Sequence, residues 1–139
     1  MKFAHIILLL MFFSCSNRIE KTELYYPDGS KKTVAVYEGK DQKKVEETGY
    51  YQNGEIKIHG YFDQAGKRKG VWEYYYDNGK LWSRCSYTNG IKNGKSEVWY
   101  ENGQKRYEGE YSNDRQVGAW KFWDEKGNQV HKKDYSKAE

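Results

Sequence analysis

Proline, cysteine and long apolar runs are scarce in this chain. One Pro and two Cys occur in 139 residues, and only 37% of the residues are apolar. So few apolar residues argue against a compact domain with a deep Leu and Ile core. Phe, Trp and Tyr nevertheless account for 17% of the sequence. Because Tyr and Trp bury large apolar faces while keeping a polar group, this composition favours a thin, extended structure stabilised by aromatic side chains.

The groupings of residues that catalysis and metal binding require are also missing. His59 and His131 have no Cys, His or carboxylate at ligand spacing, so no metal site is predicted. Cys85 falls in a strand-like segment without a patterned His partner, and we expect it to be a packing residue. The carboxylates recur with the repeat described below, and no pair stands out as acid and base. We therefore expect no enzyme activity and no cofactor.

Charges of both signs are mixed along the whole chain. The 24 Lys and Arg residues and the 20 Asp and Glu residues give a net charge of +4. Nucleic-acid binders usually concentrate Lys and Arg on one face, which this pattern does not do. The charges therefore predict a solvated surface and no nucleic-acid partner.

The amino terminus has the pattern of an export signal. Lys2 precedes an apolar run over residues 6–13, which is too short to span a bilayer but long enough for the centre of a signal peptide. The stretch from Met11 to Cys15 resembles a bacterial lipoprotein signal, with Phe at positions 12 and 13. The resemblance implies a signal peptide over residues 1–14, a lipid such as palmitate on Cys15, and a tether over residues 15–24. A plain secretory signal that is cut nearby is the alternative. With a lipid on Cys15, no intramolecular disulfide is possible.

A repeat organises the rest of the chain. Five glycines are separated by 25, 25, 24 and 24 residues, which is the signature of a repeat architecture: Gly29, Gly54, Gly79, Gly103 and Gly127. Aromatic residues precede most of these glycines, and another aromatic residue follows each by eight positions: Tyr37, Phe62, Tyr87, Tyr111 and Tyr135. The recurrence predicts that each repeat uses the same turn.

A second motif lies between these turns. Gly70 and Gly118 each begin a Gly-x-Trp sequence, which ends at Trp72 and Trp120, and Ser96 stands at the equivalent position between them. Asn-Gly pairs recur along the chain and tolerate the positive φ angles of tight hairpin turns. Each repeat is therefore predicted to hold two short strands and two turns, and no helix is expected after residue 20.

Strand alternation divides the side chains between two faces. Trp72, Tyr74 and Tyr76 fall on one face, which we assign to packing between repeats. The other face carries Tyr75, Trp99 and Trp123 in a file beside charged residues. This file is a candidate binding strip for a glycan or an extended peptide, because flat aromatic faces suit both. It is also explained by cross-strand aromatic pairs that only stabilise the sheet.

The sequence Tyr-Tyr-x-Asn-Gly, followed by an aromatic residue and then by Gly-x-Trp-x-aromatic, resembles the MORN repeat in its bacterial variant form. The resemblance covers residues 25–135, with about five repeats of 24 to 25 residues, and leaves residues 136–139 as a polar tail. It implies an all-β fold in which tandem β-hairpins extend one elongated, twisted antiparallel sheet. The turn glycines, Trp72 and Trp120 are the residues that define the repeat.

Together, the signal and the repeats predict a lipid-anchored module of the bacterial cell envelope, at the outer membrane or on the periplasmic side. Its predicted role is to bind or scaffold a protein or peptide without catalysis, and self-association through open sheet edges is possible. One alternative is an antitoxin-like protein that neutralises a toxic partner, since bacterial relatives are often labelled antitoxin components. Another is binding to membrane lipid headgroups, against which the mixed charges argue.

Overall fold

The fold is one open antiparallel β-sheet of ten strands, seen in a computed structural model that describes residues 17–136. Strand order follows chain order, so every connection is a hairpin. The strands are β1 Arg18–Tyr25, β2 Lys31–Glu38, β3 Lys43–Tyr50, β4 Ile56–Phe62, β5 Arg68–Tyr75, β6 Leu81–Thr88, β7 Ile91–Trp99, β8 Lys105–Ser112, β9 Arg115–Trp123 and β10 Gln129–Asp134. No helix occurs among these residues. The predicted all-β fold of tandem hairpins is confirmed.

The recurring glycines stand in the turns that follow the odd-numbered strands. Gly54 has φ near 88° and donates its N–H to the Tyr51 carbonyl at 3.0 Å, and the side-chain oxygen of Asn53 accepts the N–H of Glu55 at 3.0 Å. The same N–H bond is made at each of the other four turn glycines. A positive φ is readily adopted by Gly, and a short amide side chain satisfies the turn backbone, which explains the Asn-Gly pairs.

Tyrosine hydroxyls link the first four of these turns to the next repeat. Tyr51 donates to the carbonyl of Tyr75 at 2.8 Å, and Tyr100 donates to the carbonyl of Trp123 at 3.0 Å. Tyr26 and Tyr76 make the corresponding bonds. The tyrosine that enters each of these turns is therefore a structural link between hairpins that are one repeat apart.

Two tryptophans form the most buried parts of the face that we assigned to packing. Trp72 is 0% exposed and Trp120 is 1% exposed. Each ring lies directly on a glycine of the neighbouring strand, Gly60 for Trp72 and Gly109 for Trp120, and a Cβ on either glycine would lie 2.2 Å from the ring. The indole N–H of Trp72 donates to the Tyr61 carbonyl at 3.0 Å. We call this side of the sheet the aromatic face, and its predicted packing role is confirmed.

The N-terminal part of the sheet corrects one prediction. Residues 15–24 were expected to contain the lipid-attachment Cys and a tether, but residues 18–24 lie in β1 and pair with β2. The physical reason is that Lys21 and Thr22 of β1 lie opposite the buried Ala35 and Val34 of β2. The polar strand β1 therefore pairs with β2 and helps to shield its apolar residues from solvent. The predicted signal peptide and Cys15 lie outside the described residues, as does the end of the polar tail. No helix within residues 17–136 is long and apolar enough to cross a membrane.

Candidate functional site

A row of charged side chains crosses the face opposite the aromatic one, which we call the polar face. Residues directly opposite one another on adjacent strands lie on the same face of a sheet. By this register, seven neighbours from β4 to β10 form one line, which we call the charged row after its six Glu, Arg and Lys members: His59, Glu73, Arg84, Glu97, Glu108, Lys121 and Lys132. The row contains both signs of charge, so the polar face presents positive and negative groups together and does not produce a strong electrostatic field of one sign.

Glu97 is the centre of the charged row. It is only 2% exposed, and its carboxylate accepts ion pairs from Arg84 at 2.6 Å, Lys105 at 2.7 Å and Lys95 at 2.9 Å. Burial would raise the pKa of this carboxyl, but the three cationic hydrogen bonds outweigh burial and lower the pKa to about 2. Lys105 also pairs with Glu108 at 2.7 Å. Glu97 therefore stays ionised and holds three long side chains in fixed positions.

A groove of about 620 Å³ lies along the charged row. Its lining includes the charged groups of Glu73, Arg84, Lys95 and Glu97, together with apolar surface from Val71. Charged groups beside apolar surface can contact a partner through both ion pairing and burial. The arrangement therefore suits binding.

The predicted strip residues lie at the ends of β5, β7 and β9. Tyr75 donates its hydroxyl to Glu73 at 2.9 Å, and burial together with this bond raises the pKa of Tyr75 to about 12. The ring of Trp99 lies 5.4 Å from the guanidinium of Arg84 and 5.6 Å from the Lys105 ammonium. Trp123 is half-buried at the end of β9. Two of the three predicted residues thus contact the charged row, and Trp123 occupies the equivalent place one repeat further on.

The residues that were considered for catalysis are engaged in packing or pairing. The Nε2 atom of His59 lies 3.0 Å from a Glu46 carboxylate oxygen, and the His131 ring packs 5.5 Å from that of Phe122. Cys85 is buried, and burial raises the pKa of its thiol. Within residues 17–136 there is no group of three or more His, Cys, Asp or Glu residues placed to hold a metal ion.

The charged row is the main feature that sequence reasoning missed. The strip was predicted to lie beside charged residues, which are Glu73, Glu97 and Lys121, but Arg84 and Glu108 on the intervening strands were not connected with them. The available signal was alternation in β6 and β8, which puts both residues on the polar face. Only the register shows that they stand opposite Glu97.

The chain was compared with known proteins. No curated protein matches it. Among solved structures, a chain in the crystal structure of accessory secretory protein 1, 2 and 3 in Streptococcus pneumoniae is similar at 19% identity with a TM-score of 0.43. The likeness covers 71% of the present chain and 18% of that one, so this chain spans less than a fifth of its length. In the family comparison, residues 68–89 and 92–113, which are the β5–β6 and β7–β8 hairpins, match the MORN repeat variant.

Proposed function

We propose that this chain is a non-catalytic binding module whose polar face contacts a protein or peptide partner. MORN repeats typically mediate binding or scaffolding, and two hairpins match that family. The observation that carries the proposal is the position of Trp99, which is half-buried between Arg84 and Lys105 beside the groove. Trp, Tyr and Arg contribute most of the binding energy at many protein interfaces, and here Trp99 and Arg84 are held together at a partly exposed position.

The charges favour a protein partner over a membrane surface. The charged row contains carboxylates as well as cations, and Glu97 neutralises part of the positive charge of Arg84 within the row and of Lys95 and Lys105 beside it. Anionic lipid headgroups attract clusters of Lys and Arg, which this face does not offer. A protein surface can instead present complementary charges of both signs.

The face is better suited to a partner than the edges are. Both outer strands have register irregularities, between Thr22 and Tyr25 in β1 and between Gln129 and His131 in β10. Both also carry lysines, among them Lys21 and Lys132. Bulges and charged edge residues discourage the addition of another strand.

Site-specific photo-cross-linking tests the proposal. A photo-reactive residue at Lys95, whose side chain is 57% exposed on the polar face, should form one discrete adduct with a partner in cells. The adduct should disappear when Trp99→Ala is added, while the unfolding midpoint in urea stays close to that of the parent. The matched control carries the same residue at Glu125, in an exposed turn. An identical adduct from Glu125, or an adduct that persists in Trp99→Ala, would contradict the proposal.

We further propose that the module is attached to the bacterial envelope through a lipid on Cys15. The support is the apolar run followed by Ser14 and Cys15, with only two residues between Cys15 and the start of β1 at Arg18. Because an extended residue spans at most about 3.6 Å, a lipid at Cys15 would hold Arg18, at the start of β1, within roughly 11 Å of the membrane surface. The sheet would then meet the membrane by its first strand.

Metabolic labelling with a palmitate analogue tests the anchor. Label is expected in the native chain and in the membrane fraction, and neither is expected for Cys15→Ala. If the native chain takes up no label and stays soluble and uncleaved inside the cell, the anchor is refuted. An antitoxin-like binder of a cytosolic partner would then be the better account.

A further inference from the structure

The central hairpins lack the contact between Trp and Gly that their neighbours make on the aromatic face. Ser96 stands 24 residues from both Trp72 and Trp120, at the position where each of those repeats has its buried indole. Cys85 stands opposite Ser96, where the other repeats have Gly60 and Gly109. One large ring on a glycine is thus replaced by two small side chains, so the volume of the ring is left unfilled.

A second departure lies beside the first. In three other repeats a cation covers the tyrosine that enters the turn, with Lys32, Lys57 and Arg106 lying 5.4, 5.3 and 5.6 Å from the rings of Tyr26, Tyr51 and Tyr100. In the central repeat this position is Trp82, whose ring lies 6.1 Å from Tyr76 and 6.2 Å from Tyr74. Trp82 is 43% exposed. A large ring at a partly exposed position is typical of a contact surface.

The three residues of these two departures, Trp82, Cys85 and Ser96, line one cavity of about 190 Å³, which we call the central pocket. Its floor is formed by the buried Cys85, Ser96 and Val98, and its aromatic walls by Tyr74, Tyr87, Tyr107 and Trp82. Pockets for drug-sized molecules usually measure about 300 to 1,000 Å³. The central pocket is therefore of a size for a single side chain.

Two cations that form no ion pair within residues 17–136 lie at or beside the central pocket, and a third cation that lines it, Arg84, is paired with Glu97. Lys92 lines the pocket and lies 4.8 Å from the Tyr111 ring. Arg68 donates to the Tyr74 hydroxyl at 2.9 Å and stacks 4.1 Å from the Trp72 ring. Every ion pair among the described residues involves other cations. Two cations among aromatic rings favour a ligand that carries negative charge beside an aromatic group.

We propose that the central pocket binds an aromatic side chain of a partner peptide in which a carboxylate residue is adjacent to the aromatic one. The ring takes the volume that Trp72 and Trp120 fill in the neighbouring repeats, and the carboxylate pairs with Lys92 or Arg68. This site opens on the opposite face from the strip at Trp99, and Arg84 and Cys85 are the residues that line both the central pocket and the groove of the polar face.

NMR titration of the full ¹⁵N-labelled chain tests the site. The probe is acetyl-Glu-Trp-Glu-amide, which should cause saturable shifts of the Cys85, Lys92 and Val98 amides. The Gln-Trp-Gln analogue should bind about two- to fivefold more weakly, the usual effect of a partly exposed ion pair. The Glu-Leu-Glu analogue should cause no saturable shifts, because it lacks the ring. Equal affinity for the Leu and Trp peptides would overturn the proposal.

Variants that restore the neighbouring repeats provide the structural test. Cys85→Gly combined with Ser96→Trp rebuilds the contact seen at Gly60 and Trp72, so the chain's own indole should fill the central pocket and abolish the shifts. Trp82→Lys restores the cation found at position 57 and should weaken binding even if the double variant does not fold. Trp99→Ala, on the polar face, should leave the titration unchanged, which separates this site from the proposed function. Undiminished binding by the folded double variant or by Trp82→Lys would refute the site.

Two other occupants are distinguished in the same experiment. If N-acetyltryptophan binds as tightly as the tripeptide, the ligand is a free aromatic acid and the proposed peptide is wrong. If the pocket amides shift with protein concentration in the absence of peptide, the occupant is a second copy of the chain. That result would also overturn the proposal.

Discussion

Replacing Gly109 by Ala should destabilise the sheet, because this glycine is the surface on which Trp120 rests. The added Cβ would lie 2.2 Å from the Cδ2 atom and 2.3 Å from the Cε2 atom of the indole. Favourable contacts between carbon atoms are about 3.5 to 4.0 Å long, so the ring would have to withdraw by more than 1 Å. It cannot do so freely, since it is 1% exposed and lies 5.1 Å from the ring of Tyr111.

The magnitude follows from two opposing effects. Overpacking a buried site costs about 1 to 3 kcal/mol, and the upper end applies because both the ring and the opposing backbone are held. Replacing a strand glycine by Ala recovers about 0.5 to 1 kcal/mol of backbone entropy. We therefore expect Gly109→Ala to lower the free energy of unfolding by about 2 kcal/mol in urea titrations followed by tryptophan fluorescence.

A double-mutant cycle isolates the contact. Trp120→Ser alone should cost about 3 to 5 kcal/mol, the usual loss for a buried Trp cut to a small residue. Combined with Gly109→Ala, the total should be smaller than the sum by at least about 1 kcal/mol, because the added methyl group then meets no ring. The natural Cys85 and Ser96 pair is the precedent for such a combination. Additive costs, or a neutral Gly109→Ala, would refute the reasoning.

Three further predictions concern single side chains. Tyr100→Phe removes the hydrogen bond to the Trp123 carbonyl and should lower the free energy of unfolding by about 0.5 to 1.5 kcal/mol in urea titrations; no loss would mean that the bond does not link the repeats. The folded-state pKa of Glu97 is lowered from 4.5 to about 2, so its stabilisation is complete above about pH 4.5 and is lost as the pH falls towards 2. In the Glu97→Gln variant, the free energy of unfolding should therefore fall by about 2 to 3 kcal/mol less than in the parent between those pH values, measured by denaturation at each pH. An unchanged acid profile would contradict the assignment. In a Cys15→Ala chain, the buried Cys85 thiol, whose pKa burial raises, should react with a disulfide reagent only after denaturation; rapid reaction of the native protein would show that it is accessible.

Local chemistry made most of the fold predictable. A residue with positive φ is strongly biased towards Gly, so the spacing of Gly54, Gly79 and Gly103 marked the turns. Alternation along the strands then put Trp72 and Trp120 on the packing face, where both are buried. These inferences needed only short stretches of sequence.

The first strand shows where local reasoning failed. Residues 18–24 are mostly polar and precede the first recurring glycine, so they read as part of a tether. They form β1 because β2 offers a free edge and the small, buried Ala35 opposite Lys21. A strand whose stability comes from its partner carries little signal of its own.

By itself, the sequence determined the period, the turns and the division of each strand into two faces, because turn backbone and strand alternation are properties of neighbouring residues. Tertiary structure alone decided which residues of different strands meet. It set Arg84 opposite Glu97 to make the charged row, and it brought Trp82, Cys85 and Ser96 around one pocket. The physical reason is register, since a slip of one residue moves every side chain to the other face, and pairing between strands fixes it.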